Sequence, residues 1–283
     1  MKKYLALVLI MTLIFSLTSI NSFAAQDTEL STSTQESTAS SSDGITDGET
    51  VIVPQWGSGN HTDSNPGTHG FIAQRGLIIL KSAKSQASTF YTSSYSSTIK
   101  SYSIKPDVDE TTNGFSWHFY GENGLNYLGG TPTAYTKFRD HYNNAVSYYK
   151  ANNKTAAMQS LGRALHYVGD LNEPHHVLNL IAGLSRHTEY EGWVETHYSQ
   201  YAISSVSTST LDFIKNSTLK GIADDSASSA RPYIEEVEAF VLSGTTPIVN
   251  ESIVGPATST LLSKSQKVTA GVLYKFMYDV GYL

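Results

Sequence analysis

The sequence predicts an all-α, single-domain helical bundle packed around a polar metal centre. Three observations carry this. Apolar residues recur at three-or-four spacing in several stretches, the period of a helix. No run of any length alternates as a half-buried strand would. Two pairs, His166 with Asp170 and His187 with Glu191, each place a histidine four residues before a carboxylate.

The elements follow in order. Met1-Lys2-Lys3 is basic, and Tyr4 to Leu17 is apolar but too short for a stable membrane span. Ser22 and Ala24 supply the small residues that a signal peptidase reads, so residues 1–24 are a signal peptide and the protein is expected to be secreted. Residues 25–55 are dominated by Ser and Thr, with too few apolar groups to offset the entropy of ordering. They read as disordered, either a flexible linker or a pro-segment ending at Gln55.

From Trp56 to Leu283 there are 228 residues, enough for one domain with a real core. The chain has no cysteine, so an exported fold must be stabilised by its core or by metal ligation. Two of the 19 basic and six of the 25 acidic residues precede Trp56, which leaves the remainder nearly neutral. It has no basic stripe of the kind that polyanion binding requires.

Thr68 to Leu80 reads as a helix with Thr68 as N-cap. Ser85 to Tyr102 is rich in Ser and Tyr and poorly periodic. Thr133 to Lys150 carries Tyr135, Phe138, Tyr142, Val146 and Tyr149 at helical spacing, and Asn152-Asn153 breaks it. Thr155 to Asp170 carries a stripe of Ala157, Leu161, Ala164, Leu165 and Val168. Tyr190 to Tyr201, Thr210 to Ala223 and Arg231 to Leu242 are expected to be helical, with Pro232 just inside the start of the last. Ser259 to Tyr278 closes the chain's apolar pattern.

On a helix, His166 and Asp170 stack on one face one turn apart, and two ligands so placed can grip one metal ion. Pro174 cannot continue that helix, so the chain should turn there and bring His175 or His176 back to the same region. One such pair is usually a surface salt bridge. Two pairs within 26 residues, with a histidine doublet between them, point to metal. His118 lies among aromatics, as core histidines often do. Asp107, Asp109 and Glu110 form an acidic cluster of the kind that is often simply solvated.

The order Trp56, His69, Asp107, His118, His166-x3-Asp170, His176, His187-x3-Glu191 resembles the zinc-dependent phospholipases C of Gram-positive bacteria and the related S1/P1 nucleases. The strings His166-Tyr167-x-Gly169-Asp170-x-Asn172-x-Pro174-x-His176 and His187-x-x-Tyr190-Glu191 are the most discriminating, and Thr269-Ala270-Gly271-Val272 resembles the family's last helix. The resemblance implies a trinuclear zinc site. One Zn²⁺ is held by Trp56, His69 and Asp170, and a second by Asp107, His118, His166 and Asp170. A third is held by His176, His187 and Glu191. Asp107 is preferred to Asp109 on loop spacing, and His176 to His175 on its ten-residue step from His166. Trp56 would ligate through its free amine and carbonyl oxygen, which makes 25–55 a removable pro-segment, the protein a zymogen, and 56–283 the catalytic domain.

The implied activity is hydrolysis of glycerophospholipids to diacylglycerol and phosphorylated headgroup by metal-activated water, with Asp107 orienting or deprotonating that water. The alternative is an S1/P1-like nuclease cleaving single-stranded nucleic acid. Glu191, where the nucleases usually have Asp, Asn172, where they usually have His, and the absence of cysteine all favour phospholipid. Phe115 matches one aromatic headgroup contact. Val108 stands where familiar members have Tyr and Gly59 where they have Glu, so two of three contacts to choline depart from the pattern. The expected partners are phospholipid at a membrane surface and a processing protease, with no stable nucleic-acid partner, and the expected state is a monomer. No second, membrane-binding domain is expected after Leu283. Membrane contact would then rest on the domain's rim, where the tyrosines of Phe90 to Tyr102 either touch lipid or pack inward.

Overall fold

The computed structural model describes residues 66–243 and 246–283. The described residues open with α1 (Gly67–Ala83), whose Phe71, Ile72, Leu77, Ile79 and Leu80 are buried. Thr68 lies inside this helix rather than at its cap. Its hydroxyl and backbone N–H both donate to Glu195 Oε2, at 2.9 and 3.0 Å. The Ser/Tyr-rich segment forms two short helices, α2 (Ser85–Phe90) and α3 (Ser93–Tyr102). Thr92 separates them and caps the second by accepting from Tyr95 N at 3.3 Å. Tyr91 packs inward: it is fully buried, and its hydroxyl donates to the Leu273 carbonyl at 2.7 Å.

A single turn, α4 (Pro106–Asp109), precedes an irregular stretch in which Asn113, Gly114 and Phe115 all take left-handed dihedrals. Next come α5 (Ala134–Lys150) and α6 (Lys154–Asp170), packed on each other as an antiparallel pair. Thr133 and Thr136 form a capping box at the start of α5, and Asn153 caps α6 by accepting from Ala156 N at 3.2 Å. The Asn152-Asn153 break thus also starts the next helix. Leu161, Ala164, Leu165 and Val168 of α6 are buried, so its predicted stripe is a core face.

Helix α6 stops at Asp170. Pro174 does not cause that stop. It stands at the first turn of α7 (Pro174–Leu178), where its missing N–H costs nothing. α8 (His187–His197) follows and passes into a 3₁₀ turn over Tyr198–Tyr201.

Two segments depart from the pattern that the sequence predicts. The continuous helix expected over Thr210 to Ala223 is two, α9 (Thr208–Asn216) and α10 (Leu219–Ala230). Ser217 is extended, and Thr218 caps α10 by accepting from Gly221 N at 3.0 Å. A local cap therefore wins over a periodicity that runs through the break. The helix expected over Arg231 to Leu242 ends with α11 (Ile234–Val237). The chain then forms an antiparallel hairpin of β1 (Phe240–Ser243) and β2 (Thr246–Val249), with Val241 opposite Ile248. Four-residue strands are too short to display alternation, so the sequence pattern does not mark them. The last helix, α12 (Glu251–Asp279), starts earlier than its apolar stripe. It packs on α1 and α9, burying Leu261, Leu262, Val268, Leu273, Phe276 and Met277.

Candidate metal centre

His166 and Asp170 do share one face of α6, and both are buried. His166 Nδ1 donates to the carbonyl of Ser103 at 2.9 Å, just past α3. A carbonyl can only accept, so that bond fixes the tautomer and leaves the Nε2 lone pair facing inward. The ring of His69, from α1, stacks on His166 with centroids 3.8 Å apart.

The two oxygens of Asp170 diverge. Oδ1 lies 3.4 Å from His69 Nε2, while Oδ2 lies 3.0 Å from His118 Nδ1 and 3.4 Å from His166 Nε2. Burial works against its ionisation, but His166, His176 and His118 outweigh burial and hold Asp170 well below the usual carboxylate range.

His118 sits in a 3₁₀ turn after the left-handed stretch, with Nδ1 3.0 Å from His166 Nε2 and 3.7 Å from Asp107 Oδ1. Asp107 Oδ1 is 3.4 Å from His166 Nε2, and its Oδ2 is buried with no hydrogen-bond partner. Burial pushes the Asp107 carboxyl up to about 6 against the pull of His166 and His118. Asp109 turns outward and forms a two-pronged pair with Arg163 at 2.7 and 2.6 Å. Phe115 is buried, its ring 5.7 Å from that of His118. Trp56 lies outside the described residues, as do the signal-peptide and pro-segment assignments.

A further group is formed by α7, α8 and the residue before α7. His176 Nε2 and His187 Nε2 lie 3.1 and 3.0 Å from the same Glu191 oxygen, Oε1. His176 Nδ1 donates to the carbonyl of His118 at 2.8 Å, so its Nε2 also presents a lone pair. His175 points elsewhere, with Nδ1 2.7 Å from Glu173 Oε1. Sequence reasoning did not single out Glu173, which caps α7 by accepting from His176 N at 2.7 Å. The signal available was an acid immediately before a helix-starting proline. Glu110, read with Asp107 and Asp109 as an acidic cluster of the kind that is often solvated, is buried instead. It is a buried hub, accepting from Tyr167 Oη at 2.9 Å and Arg163 Nη1 at 2.8 Å, and pairing with Lys137 and His141.

These residues fit metal ions. Donor atoms converge within 4.8 Å of one another in three buried groups: His69, His166 and Asp170; Asp107, His118 and His166; Glu173, His176, His187 and Glu191. Lone pairs of His166 and His176 face carboxylate oxygens, an arrangement that needs a cation between them. Burial disfavours the charged rings, but the facing carboxylates outweigh it and push His166 up to about 9 and His176 up to about 10. Imidazole and carboxylate are a donor set suited to Zn²⁺.

The family model for zinc dependent phospholipase C matches residues 68–237. The phospholipase C of Clostridium novyi is 30% identical over 62% of this chain and 44% of its own length. That of Clostridium perfringens is 27% identical over 76% of this chain and 59% of its own. That of Bacillus cereus is 33% identical over 35% of this chain and 36% of its own. The chain thus spans about half the length of the clostridial relatives. The crystal structure of an alpha-toxin from an avian strain of Clostridium perfringens superposes with a TM-score of 0.66 at 23% identity, covering 78% of this chain and 66% of that one. That likeness shows the same all-α fold. The motif-bearing segment from α1 to α11 is the part that the family model matches, and the chain belongs to the zinc dependent phospholipase C family.

Proposed function

We propose that the protein is a secreted phospholipase C that hydrolyses glycerophospholipids with three zinc ions. One ion would be held by Trp56, His69 and Asp170. A second would be held by Asp107, His118, His166 and Asp170, and a third by His176, His187 and Glu191. The observation that carries this reading is Asp170, whose two oxygens face different histidine groups.

Bound zinc supplies Lewis acidity toward the phosphodiester oxygens and lowers the pKa of water. The protein's own groups do the rest. Ser103 and His118 carbonyls lock the rings of His166 and His176, so the donor atoms keep their aim. Asp107 orients the attacking water and takes its proton on Oδ2, the oxygen without a hydrogen-bond partner. Water adds to phosphorus and the phosphorus–oxygen bond to glycerol breaks. Diacylglycerol leaves with a proton, and the headgroup leaves as a phosphomonoester. Phe115, beside His118, would line the headgroup side.

The nuclease reading is disfavoured by Asn172. Where the nucleases usually carry His, this side chain is buried, and its amide donates to the Val168 carbonyl at 2.7 Å. The relatives reported above are all called phospholipase C. Export, a monomeric state, removal of residues 25–55 by a processing protease and the absence of a stable nucleic-acid partner belong to the same proposal. Among the described residues no helix is long and apolar enough to cross a membrane.

The test is zinc content of the protein beginning at Trp56, together with release of phosphorylated headgroup from mixed-lipid vesicles. Chelation should abolish release and lower the melting temperature, because metal binding is coupled to folding. Full activity after dialysis against excess chelator would sink the proposal.

A further inference from the structure

Glu173 is completely buried, and so is His175 beside it. Neither is among the ligands that the family resemblance implies. A buried carboxylate is costly unless its charge is compensated. Its two oxygens have different partners. Oε1 lies 2.7 Å from His175 Nδ1. Oε2 accepts from His176 N at 2.7 Å and lies 4.0 Å from His176 Nε2, the atom that faces Glu191.

His175 in turn is held from both sides. Its Nε2 is 3.4 Å from Glu238 Oε1, and Glu238 Oε1 accepts from Arg186 N at 3.1 Å. The His175 ring lies parallel to that of His187, with centroids 4.9 Å apart and planes 2° from coplanar orientation. His175 is thus a strut between the residue after α11 and the carboxylate of Glu173.

We infer that Glu173 is a fourth protein ligand of the His176, His187 and Glu191 site, and that His175 is the positioning residue that holds it there. The inference rests on the reading of that group as a zinc site. A carboxylate oxygen has two acceptor positions, so Oε2 can cap α7 and still face an ion. Two imidazoles and two carboxylates balance a divalent charge and supply four protein donors, the number that structural zinc sites use. The Asp107, His118 and His166 group reaches such a set only by sharing Asp170 with His69, whereas the four donors here serve one ion alone. This site therefore holds its ion most tightly and stabilises the fold, while the pair of sites at Asp170 keeps room for substrate.

The experiment compares wild type, Glu173→Gln and His175→Phe, each beginning at Trp56. Zinc content is measured after dialysis against graded chelator, and melting temperature is measured on the zinc-free forms. Gln keeps a capping oxygen but loses the charge, and Phe keeps the stack on His187 but loses the grip on Glu173. The expected result is a wild type with three ions and a Glu173→Gln variant whose tightest ion binds about 10–100-fold more weakly. His175→Phe should shift in the same direction, and in both variants the loss of zinc affinity should exceed what any fall in zinc-free melting accounts for. Three ions bound with wild-type affinity in Glu173→Gln would overturn the inference and leave the three-ion reading intact. Affinity lost in step with zinc-free stability would make Glu173 a folding residue and overturn it too. Fewer than three ions in the wild type would overturn the three-ion reading, and the fourth ligand with it.

Discussion

Gly169 presses against the ring of His69: a Cβ on that glycine would come within 2.6 Å of His69 Nδ1 and 2.7 Å of its Cε1. Gly169 lies inside α6, where alanine would otherwise favour the helix by about 1 kcal/mol. Helix propensity and site geometry therefore predict opposite outcomes for Gly169→Ala. The close approach should win, pushing His69 away from Asp170. The expected result is loss of one zinc ion and at least about a tenfold fall in activity, the scale seen when support around a metal ligand is removed. Zinc content unchanged from wild type would refute this.

Asp170 should be the most damaging single ligand to remove. Its two oxygens face His69 on one side and His118 and His166 on the other, so Asp170→Ala disturbs two groups. Glu191→Ala disturbs one. Zinc stoichiometry of the two variants checks this, with Asp170→Ala expected to lose more metal and more activity. Equal losses would contradict a bridging role.

Glu110 predicts a pH dependence. Burial opposes its ionisation, but His141 and Lys137 outweigh burial and hold its carboxyl well below the usual range. A carboxyl with a depressed folded value contributes stability that is fully present above its unfolded value of about 4.3 and is lost as pH falls through the folded one. Replacing it with Gln removes charge-assisted hydrogen bonds worth about 2 kcal/mol at neutral pH. Thermal melts in excess chelator should show Glu110→Gln well below wild type at pH 7, with the gap narrowing as pH falls below about 4. A gap independent of pH would mean that Glu110 acts through packing alone.

The proposed pro-segment predicts a chemical switch. While residue 55 is attached, the nitrogen of Trp56 is an amide whose lone pair is delocalised into the carbonyl, so it is a poor ligand. Cleavage between Gln55 and Trp56 creates an amine with a reference pKa of about 8, low enough for a nearby cation to favour the free base. A cleavage-resistant precursor should be nearly inactive and lack a complete site at His69 and Asp170. Equal turnover by precursor and processed protein at equal zinc would remove the zymogen reading. A secreted form beginning elsewhere would remove its premise.

Periodicity placed the long helices well. The stripe of Ala157, Leu161, Ala164, Leu165 and Val168 is a core face of α6, and Phe138 and Tyr142 are core residues of α5. It failed where a polar residue makes a local cap, at Thr218, and where strands are four residues long, at Phe240–Ser243.

By itself, the sequence determined the helical class, the family and the stacking of His166 with Asp170, because each depends on spacing along one element. Only the tertiary structure decided between neighbours. Asp107 faces the histidines because Arg163, on another helix, draws Asp109 outward. His176 faces Glu191 because the His118 carbonyl takes its other nitrogen, while His175 is held by Glu173 and Glu238. α4 and α7 are four and five residues long, too short to set their own orientation. Their rotation, and with it the choice of inward donor, comes from partners more than fifty residues away along the chain.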